Sequence, residues 1–124
     1  MIMKKIITRN ELRDLLTKWQ RGQITAEELN SLAGELYPND EVGYEDWEAD
    51  GESSVTNEVL AALDMMDMNL MVPEDVPAYL EFLNTPLGSF KEGYSKLRQC
   101  LQHINIEDRQ VALSKIPFYK AFCE

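Results

Sequence analysis

The 124-residue sequence has few cysteines, a single histidine and no long apolar run. Its two cysteines, Cys100 and Cys123, are too few for a disulfide scaffold. No segment approaches the roughly 20 apolar residues that span a bilayer, and the N-terminus lacks the pattern of a signal peptide. The sequence therefore predicts one cytoplasmic domain over residues 1–124, with reduced thiols and no membrane contact.

Basic residues are missing from the middle of the chain. Residues 22–90 hold sixteen carboxylates and no lysine or arginine, whereas residues 1–21 carry a net +4 and residues 91–124 a net +2, within a total of −10. This distribution disfavours direct binding to nucleic acid, because neutralising phosphates requires lysine and arginine. Two interpretations remain: the basic ends fold back onto the acidic middle, or the acidic face attracts a basic protein partner.

Few groups of residues in this sequence could form a catalytic site. His103 follows Cys100 by three residues on a predicted helix, but no residue is identifiable that would orient the pair for nucleophilic chemistry. Cys100 is instead expected in the core. Carboxylates are too abundant for any two to form a specific acid–base pair, and no glycine-rich phosphate loop is present. The sequence thus predicts a protein that is not an enzyme and that uses no cofactor.

Apolar periodicity and helix-start residues predict an all-α fold. Capping boxes are predicted at Thr8–Glu11, Thr25–Glu28 and Ser89–Glu92, each ahead of an apolar stripe. The first two helices form a hairpin, with helix 1 closing at Gly22. These patterns predict a single-domain helical bundle of five or six helices with a long acidic loop between helices 2 and 3.

Apolar spacing and proline positions locate the remaining elements. Helix 3 is predicted from Val55 to Asn69, helix 4 from about Pro73, and a later helix from Ile106 to Lys115. Only residues 2–7 are compatible with a short strand. The stripes also predict seven buried side chains, which are Leu16, Trp19, Leu32, Leu63, Leu80, Leu97 and Leu101.

The loop at residues 39–52 reads NDEVGYEDWEADGE, with seven carboxylates in fourteen residues. Within it, Asp46-x-Glu48-x-Asp50-Gly51 matches positions 1, 3, 5 and 6 of an EF-hand calcium loop. Position 12 of that loop needs a bidentate carboxylate, and here it is Asn57. No calcium site is therefore expected, and a calcium-responsive protein is a lesser alternative.

Tyr44 and Trp47 lie in the same loop outside any core periodicity, so they either pin the loop or anchor an interface. The methionine cluster of residues 65–71 cannot lie on one helical face, so part of it is expected at the surface. The predicted partner-binding residues belong to the loop and the start of helix 3: Asp40, Glu41, Tyr44, Glu45, Asp46, Trp47, Glu48, Asp50, Glu52 and Glu58. Replacing Glu45, Asp46 and Glu48 together with lysine is expected to leave the fold intact.

Four groups of residues resemble the pattern of a known protein family. They are Leu15-Leu-Thr-Lys-Trp19, Gly22-x-Ile24-Thr25, Leu63-Asp64, and Pro73-Glu-Asp-Val-Pro77 with Tyr79-Leu-Glu-Phe-Leu83. Over about residues 11 to 90 the chain resembles small acidic bacterial immunity proteins of contact-dependent growth inhibition and related polymorphic toxin systems. The resemblance implies stoichiometric binding to a toxin domain, often a nuclease, whose active site or substrate surface is blocked. It assigns no individual functional residue. The alternative is an acidic adaptor or antirepressor that masks another basic protein.

Overall fold

A computed structural model describes residues 5–37, 42–48, 51 and 53–123. The elements are β1 (Lys5–Ile7), α1 (Arg9–Gln20), α2 (Ala26–Leu36), β2 (Val42–Tyr44), α3 (Val55–Asp64), a 3₁₀ turn (Pro73–Asp75), α4 (Val76–Phe82), α5 (Phe90–Gln102), α6 (Ile106–Leu113) and α7 (Pro117–Lys120). The predicted all-α class is confirmed. None of the described helices is long and apolar enough to cross a membrane.

The predicted acidic loop contains the strand β2, which pairs in parallel with β1. Lys5 lies opposite Val42, and Ile7 lies opposite Tyr44. Ile7 is fully buried, so this small sheet closes one side of the core. The pairing joins the N-terminus to the segment that follows α2, and local sequence patterns do not show such a contact.

The first two helices begin at the predicted residues. Thr25 accepts a hydrogen bond from the Glu28 backbone N–H, and the Glu28 carboxylate accepts one from the Thr25 N–H, both at 3.1 Å. At α1 the Thr8 side chain accepts from the Glu11 N–H at 3.2 Å. These bonds satisfy donors that have no partner within the helix.

The main core lies among α1, α2, α3 and α4, with α2 packed along α3. Leu16, Trp19, Leu63 and Leu97 are buried as predicted, while Leu80 and Leu101 are half-buried. The prediction for Leu32 is wrong, because 39% of this residue is exposed. The buried stripe of α2 runs through Leu29 and Ala33, which leaves Leu32 to one side.

Helix α3 ends at Asp64, five residues before the predicted end at Asn69. The side-chain amide of Asn30 donates to the backbone carbonyls of Leu63 and Asp64, at 3.0 and 3.1 Å. Those carbonyls lie at the end of the helix, beyond its regular i+4 hydrogen bonds. A side chain from α2 therefore stabilises the end of α3, and periodicity alone does not show this.

The chain then turns through residues 65–70, where Leu70 has a φ of 53°. This turn buries Met66 and Met71 and leaves Met65 and Met68 exposed. The expectation that the methionine cluster divides between core and surface is thus confirmed. The division arises because α3 ends at Asp64, before the cluster begins, so the methionines lie in the turn that follows the helix.

Helix α5 lies very close, at Gly93, to the segment that follows α4. A Cβ atom added at Gly93 would lie 2.9 Å from the Cβ of the buried Thr85, a separation that real Cβ atoms essentially never show. We therefore expect Gly93→Ala to lower the free energy of unfolding by about 1–3 kcal/mol, the usual cost of overpacking. Urea denaturation followed by circular dichroism would measure the change.

Gly34 provides the matched control for this substitution. A Cβ there meets only the Asp64 carboxylate at 3.4 Å, an ordinary contact, and the residue is exposed on α2. Gly34→Ala should stabilise the protein by up to about 1 kcal/mol, because alanine has the higher helix propensity. Equal changes in the free energy of unfolding for the two substitutions would contradict the close packing of α5 against Thr85.

Candidate functional site

Six of the ten predicted partner-binding residues belong to the described part of the chain. Five of these six form one continuous stretch, residues 44–48, which is called here the acidic segment. The sixth, Glu58, lies in α3 and is half-buried, and burial raises the pKa of its carboxyl above the usual value. The other four predicted residues, Asp40, Glu41, Asp50 and Glu52, lie outside the described residues.

Glu45 is the first carboxylate of the acidic segment, and it contacts the start of α1. Its Oε1 accepts a hydrogen bond of 2.6 Å from the backbone N–H of Arg9, the first residue of that helix. The Glu45 N–H in turn donates to the Ile7 carbonyl at 3.2 Å. A negative charge in this position is stabilised by the positive end of the helix dipole.

Asp46 is buried, with 4% of its surface exposed, and it contacts the start of α3. Its carboxylate accepts hydrogen bonds from the Ser54 hydroxyl, the Thr56 backbone N–H at 3.1 Å and the Arg9 Nε at 2.8 Å. Burial by itself would raise the pKa of Asp46, but the hydrogen bonds from Ser54, Arg9 and Thr56 outweigh it, and the pKa lies below its usual value. Asp46 is therefore a charged, paired group inside the protein.

The Arg9 guanidinium extends this network to the end of α4. Besides its ion pair with Asp46, it donates hydrogen bonds to the backbone carbonyls of Leu83 and Thr85. Arg13, one turn later in α1, also donates to the Leu83 carbonyl, at 2.9 Å. The carbonyls at the end of α4 thus receive donors from two arginines of α1.

Glu48 contacts the start of α5. Its carboxylate accepts from the backbone N–H of Gly88 at 2.8 Å and from that of Phe90 at 3.1 Å. The predicted capping box at Ser89–Glu92 is wrong, because the Ser89 side chain makes no capping hydrogen bond. A carboxylate forty residues earlier in the chain stabilises the beginning of this helix instead.

The three carboxylates of the acidic segment thus each stabilise the N-terminus of a different helix. These contacts argue against the expectation that lysine at all three positions would leave the fold intact. Sequence patterns did not indicate Arg9 or Gly88 as partners of the segment. Ser54 alone had a local signal, since a serine directly before an apolar run is typical of an N-cap.

Trp47 differs from the carboxylates because 43% of it is exposed. Its ring packs edge-on against Tyr44, with centroids 5.6 Å apart and an interplanar angle of 82°. Its backbone forms an antiparallel bridge with Ser54. Trp47 is therefore not a core residue: its ring is a partly exposed surface group held in place by Tyr44.

Two carboxylates of the EF-hand pattern, Asp46 and Glu48, are directed elsewhere in the fold, and the third, Asp50, lies outside the described residues. The oxygen atoms of Asp46 meet Arg9, Ser54 and Thr56, and those of Glu48 meet backbone N–H groups. Across the described ranges, no three His, Cys, Asp or Glu side chains are grouped so that they could hold a metal ion.

Cys100 and His103 are both exposed on the outer side of α5. The expected core position of Cys100 is therefore wrong. The buried positions of α5 are Gly93 and Leu97, and residue 100 lies almost a full turn beyond Leu97 and to one side of the stripe. The placement of this thiol shows that the apolar face of α5 is narrower than its sequence indicates.

The C-terminal basic region also folds back onto the acidic middle. Arg109 of α6 holds Asp75 through two hydrogen bonds of 2.6 and 2.7 Å and donates a third to the Leu70 carbonyl at 3.0 Å. Together with the ion pair of Arg9 and Asp46, this pair confirms the first interpretation of the charge distribution. Both buried carboxylates of the described middle segment are neutralised by arginines from the chain ends.

Comparisons with protein-family models, with curated proteins and with solved structures found nothing that matches this chain.

Proposed function

We propose that this protein is an immunity protein that binds and neutralises a basic nuclease toxin domain through the surface around Trp47. The observation that supports the proposal most directly is the exposure of Trp47 on a segment that hydrogen bonds hold to three helices. Tryptophan is enriched among residues that dominate binding energy, and a preorganised anchor loses little conformational entropy on binding.

In this proposal, the electrostatic attraction depends on exposed carboxylates across the protein surface and not on those of the acidic segment alone. Asp46 and Glu48 are occupied within the fold, so exposed carboxylates elsewhere contribute much of the field; they include Glu27, Glu28, Glu74 and Glu81. With a net charge of −10, the protein attracts basic partners over long range. A nuclease needs a cationic surface for phosphates, and an acidic protein can occupy that surface.

Trp47→Ala tests the proposed anchor. We expect it to raise the Kd for a basic toxin nuclease domain encoded beside this protein by about thirtyfold or more, the scale of a hot-spot residue. Faster dissociation should account for the increase, because a lost pocket contact acts after encounter. Surface plasmon resonance would measure the two rates, and a nuclease assay would report inhibition.

Val111→Ala is the control, because Val111 is an exposed apolar residue of α6, in a different part of the chain. Its Kd should equal that of the parent. An unchanged Kd for Trp47→Ala would place the interface elsewhere. Binding to a basic partner without loss of any toxin activity would favour the acidic adaptor or antirepressor function.

A further inference from the structure

The C-terminal region, residues 106–123, is called here the C-terminal strap, and it joins the rest of the fold through little apolar contact. In α6 and α7, which both lie within the described residues, one residue of each helix is buried, Leu113 and Tyr119. These two side chains form a small apolar cluster with Leu70, separate from the main core, and the half-buried Phe118 packs against both clusters. Regions with few buried apolar contacts open at a lower free energy than the core does.

An open groove of about 460 Å³ separates α6 from two helices of the main bundle. The groove is lined by Ile106 and Arg109 of α6, by Ala61 of α3 and by Leu101 of α5. Ile106 is apolar, yet 48% of it stays exposed. Because buried apolar area is the main favourable term in packing, α3 and α5 stabilise α6 only weakly. The attachment of the strap must therefore depend on other contacts.

Polar contacts provide this attachment. Arg109 donates two hydrogen bonds to the Asp75 carboxylate, at 2.6 and 2.7 Å, and a third to the Leu70 carbonyl at 3.0 Å. The Tyr119 hydroxyl donates to the Met71 carbonyl. All of these acceptors belong to the segment that joins α3 to α4. Paired hydrogen bonds between a guanidinium and a carboxylate are strong and directional, so the Arg109–Asp75 pair holds the strap to this segment.

We propose that the C-terminal strap opens as a unit while the main core stays folded, and that the Arg109–Asp75 pair is its latch. The hinge is the short connection after α5. There the Asn105 side chain accepts a hydrogen bond of 3.0 Å from the Asp108 N–H, so the start of α6 is capped within the strap itself. Opening uncovers Leu70, which is 2% exposed in the closed protein, and frees the Asp75 carboxylate. The fold thus conceals an apolar and acidic surface, and the proposal is independent of the toxin-binding function.

The two native cysteines report on this opening. Cys123 lies in the strap, is half-buried and packs against its apolar cluster, whereas Cys100 is exposed on α5, outside the strap. Both thiols react with dithiobis(nitrobenzoate) by thiol–disulfide exchange, and mass spectrometry of the labelled peptides would assign each rate. We expect Cys123 to react more slowly than Cys100. Below the unfolding transition its rate should change little with urea, because local opening exposes little surface.

Latch variants should change the Cys123 rate and leave the Cys100 rate unchanged. Arg109→Met leaves the buried Asp75 without its counter-charge, so Cys123 should react at least about thirtyfold faster. The milder Tyr119→Phe removes one hydrogen bond and should give a roughly fivefold increase. Lys115→Met is the matched control, because it removes a positive charge from an exposed position of the strap, and it should change the Cys123 rate by less than about twofold.

A core variant separates local opening from global unfolding. Leu16→Ala weakens the main core, because Leu16 is fully buried in α1, and it should speed hydrogen exchange of the α1 amides. The Cys123 rate should nevertheless stay within about twofold of the parent, because the core remains folded when the strap opens. The proposal is overturned if Leu16→Ala speeds Cys123 labelling as much as it speeds α1 exchange, or if Arg109→Met and Tyr119→Phe both leave the Cys123 rate unchanged.

Discussion

We expect Asp46→Ala to lower the free energy of unfolding by about 3–5 kcal/mol, the usual cost of removing one partner of a buried ion pair. The substitution leaves the Arg9 guanidinium, whose side chain is only 15% exposed, without its counter-charge. It also removes the acceptor of the Ser54 hydroxyl and of the Thr56 N–H at the start of α3. Urea denaturation monitored by circular dichroism would measure the loss.

Glu45→Ala is the control within the same segment. Glu45 is exposed and accepts a single hydrogen bond from the helix start, so its loss should cost about 1 kcal/mol, as for an N-cap residue. Combining lysine at positions 45, 46 and 48 should unfold the protein, because it places positive charges at three helix N-termini. A cost of Asp46→Ala no larger than that of Glu45→Ala would contradict the structural role of Asp46.

The contribution of Asp46 also depends on pH. Its pKa is lower in the folded protein than in the unfolded chain, where it is about 3.9. The stabilisation is therefore present above the unfolded pKa and is lost as the pH falls through the folded pKa. As the pH falls below about 4, the parent should lose stability more steeply than Asp46→Ala does, when both are followed by urea denaturation at each pH.

The second large effect is expected at Leu97 of α5. Leu97 is buried against the main core, so Leu97→Ala should lower the free energy of unfolding by about 2–5 kcal/mol through lost apolar burial and the cavity that remains. Leu101, one turn later in the same stripe, is half-buried and is the matched control. Replacing Leu101 by alanine should lower the free energy of unfolding roughly half as much, because its side chain buries less apolar area in the folded protein.

Thermal and urea unfolding of both leucine variants would give the comparison. A loss below about 0.5 kcal/mol for Leu97→Ala would show that α5 does not pack on the core through this residue. If Leu101→Ala lowered the free energy of unfolding more than Leu97→Ala, α5 would be rotated about its axis from the orientation described.

Most helix starts were predictable from sequence because their chemistry is local. The Thr25–Glu28 box lies within a single turn, and both of its hydrogen bonds form between residues three apart. Apolar spacing likewise located the buried Leu16 and Leu63. Errors arose where a distant group competes with the local pattern, as at Ser89, whose expected capping role belongs to Glu48.

The acidic segment was recognised from its composition, but its role in the described fold was not. The sequence by itself determined the all-α class, the helical hairpin and an excess of negative charge, because each depends on residue types within a few positions of one another. Only the tertiary structure decided that Glu45, Asp46 and Glu48 stabilise three helix starts while Trp47 remains exposed. Their partners lie 36, 37 and 42 residues away for Glu45–Arg9, Asp46–Arg9 and Glu48–Phe90, distances at which no local pattern specifies a contact.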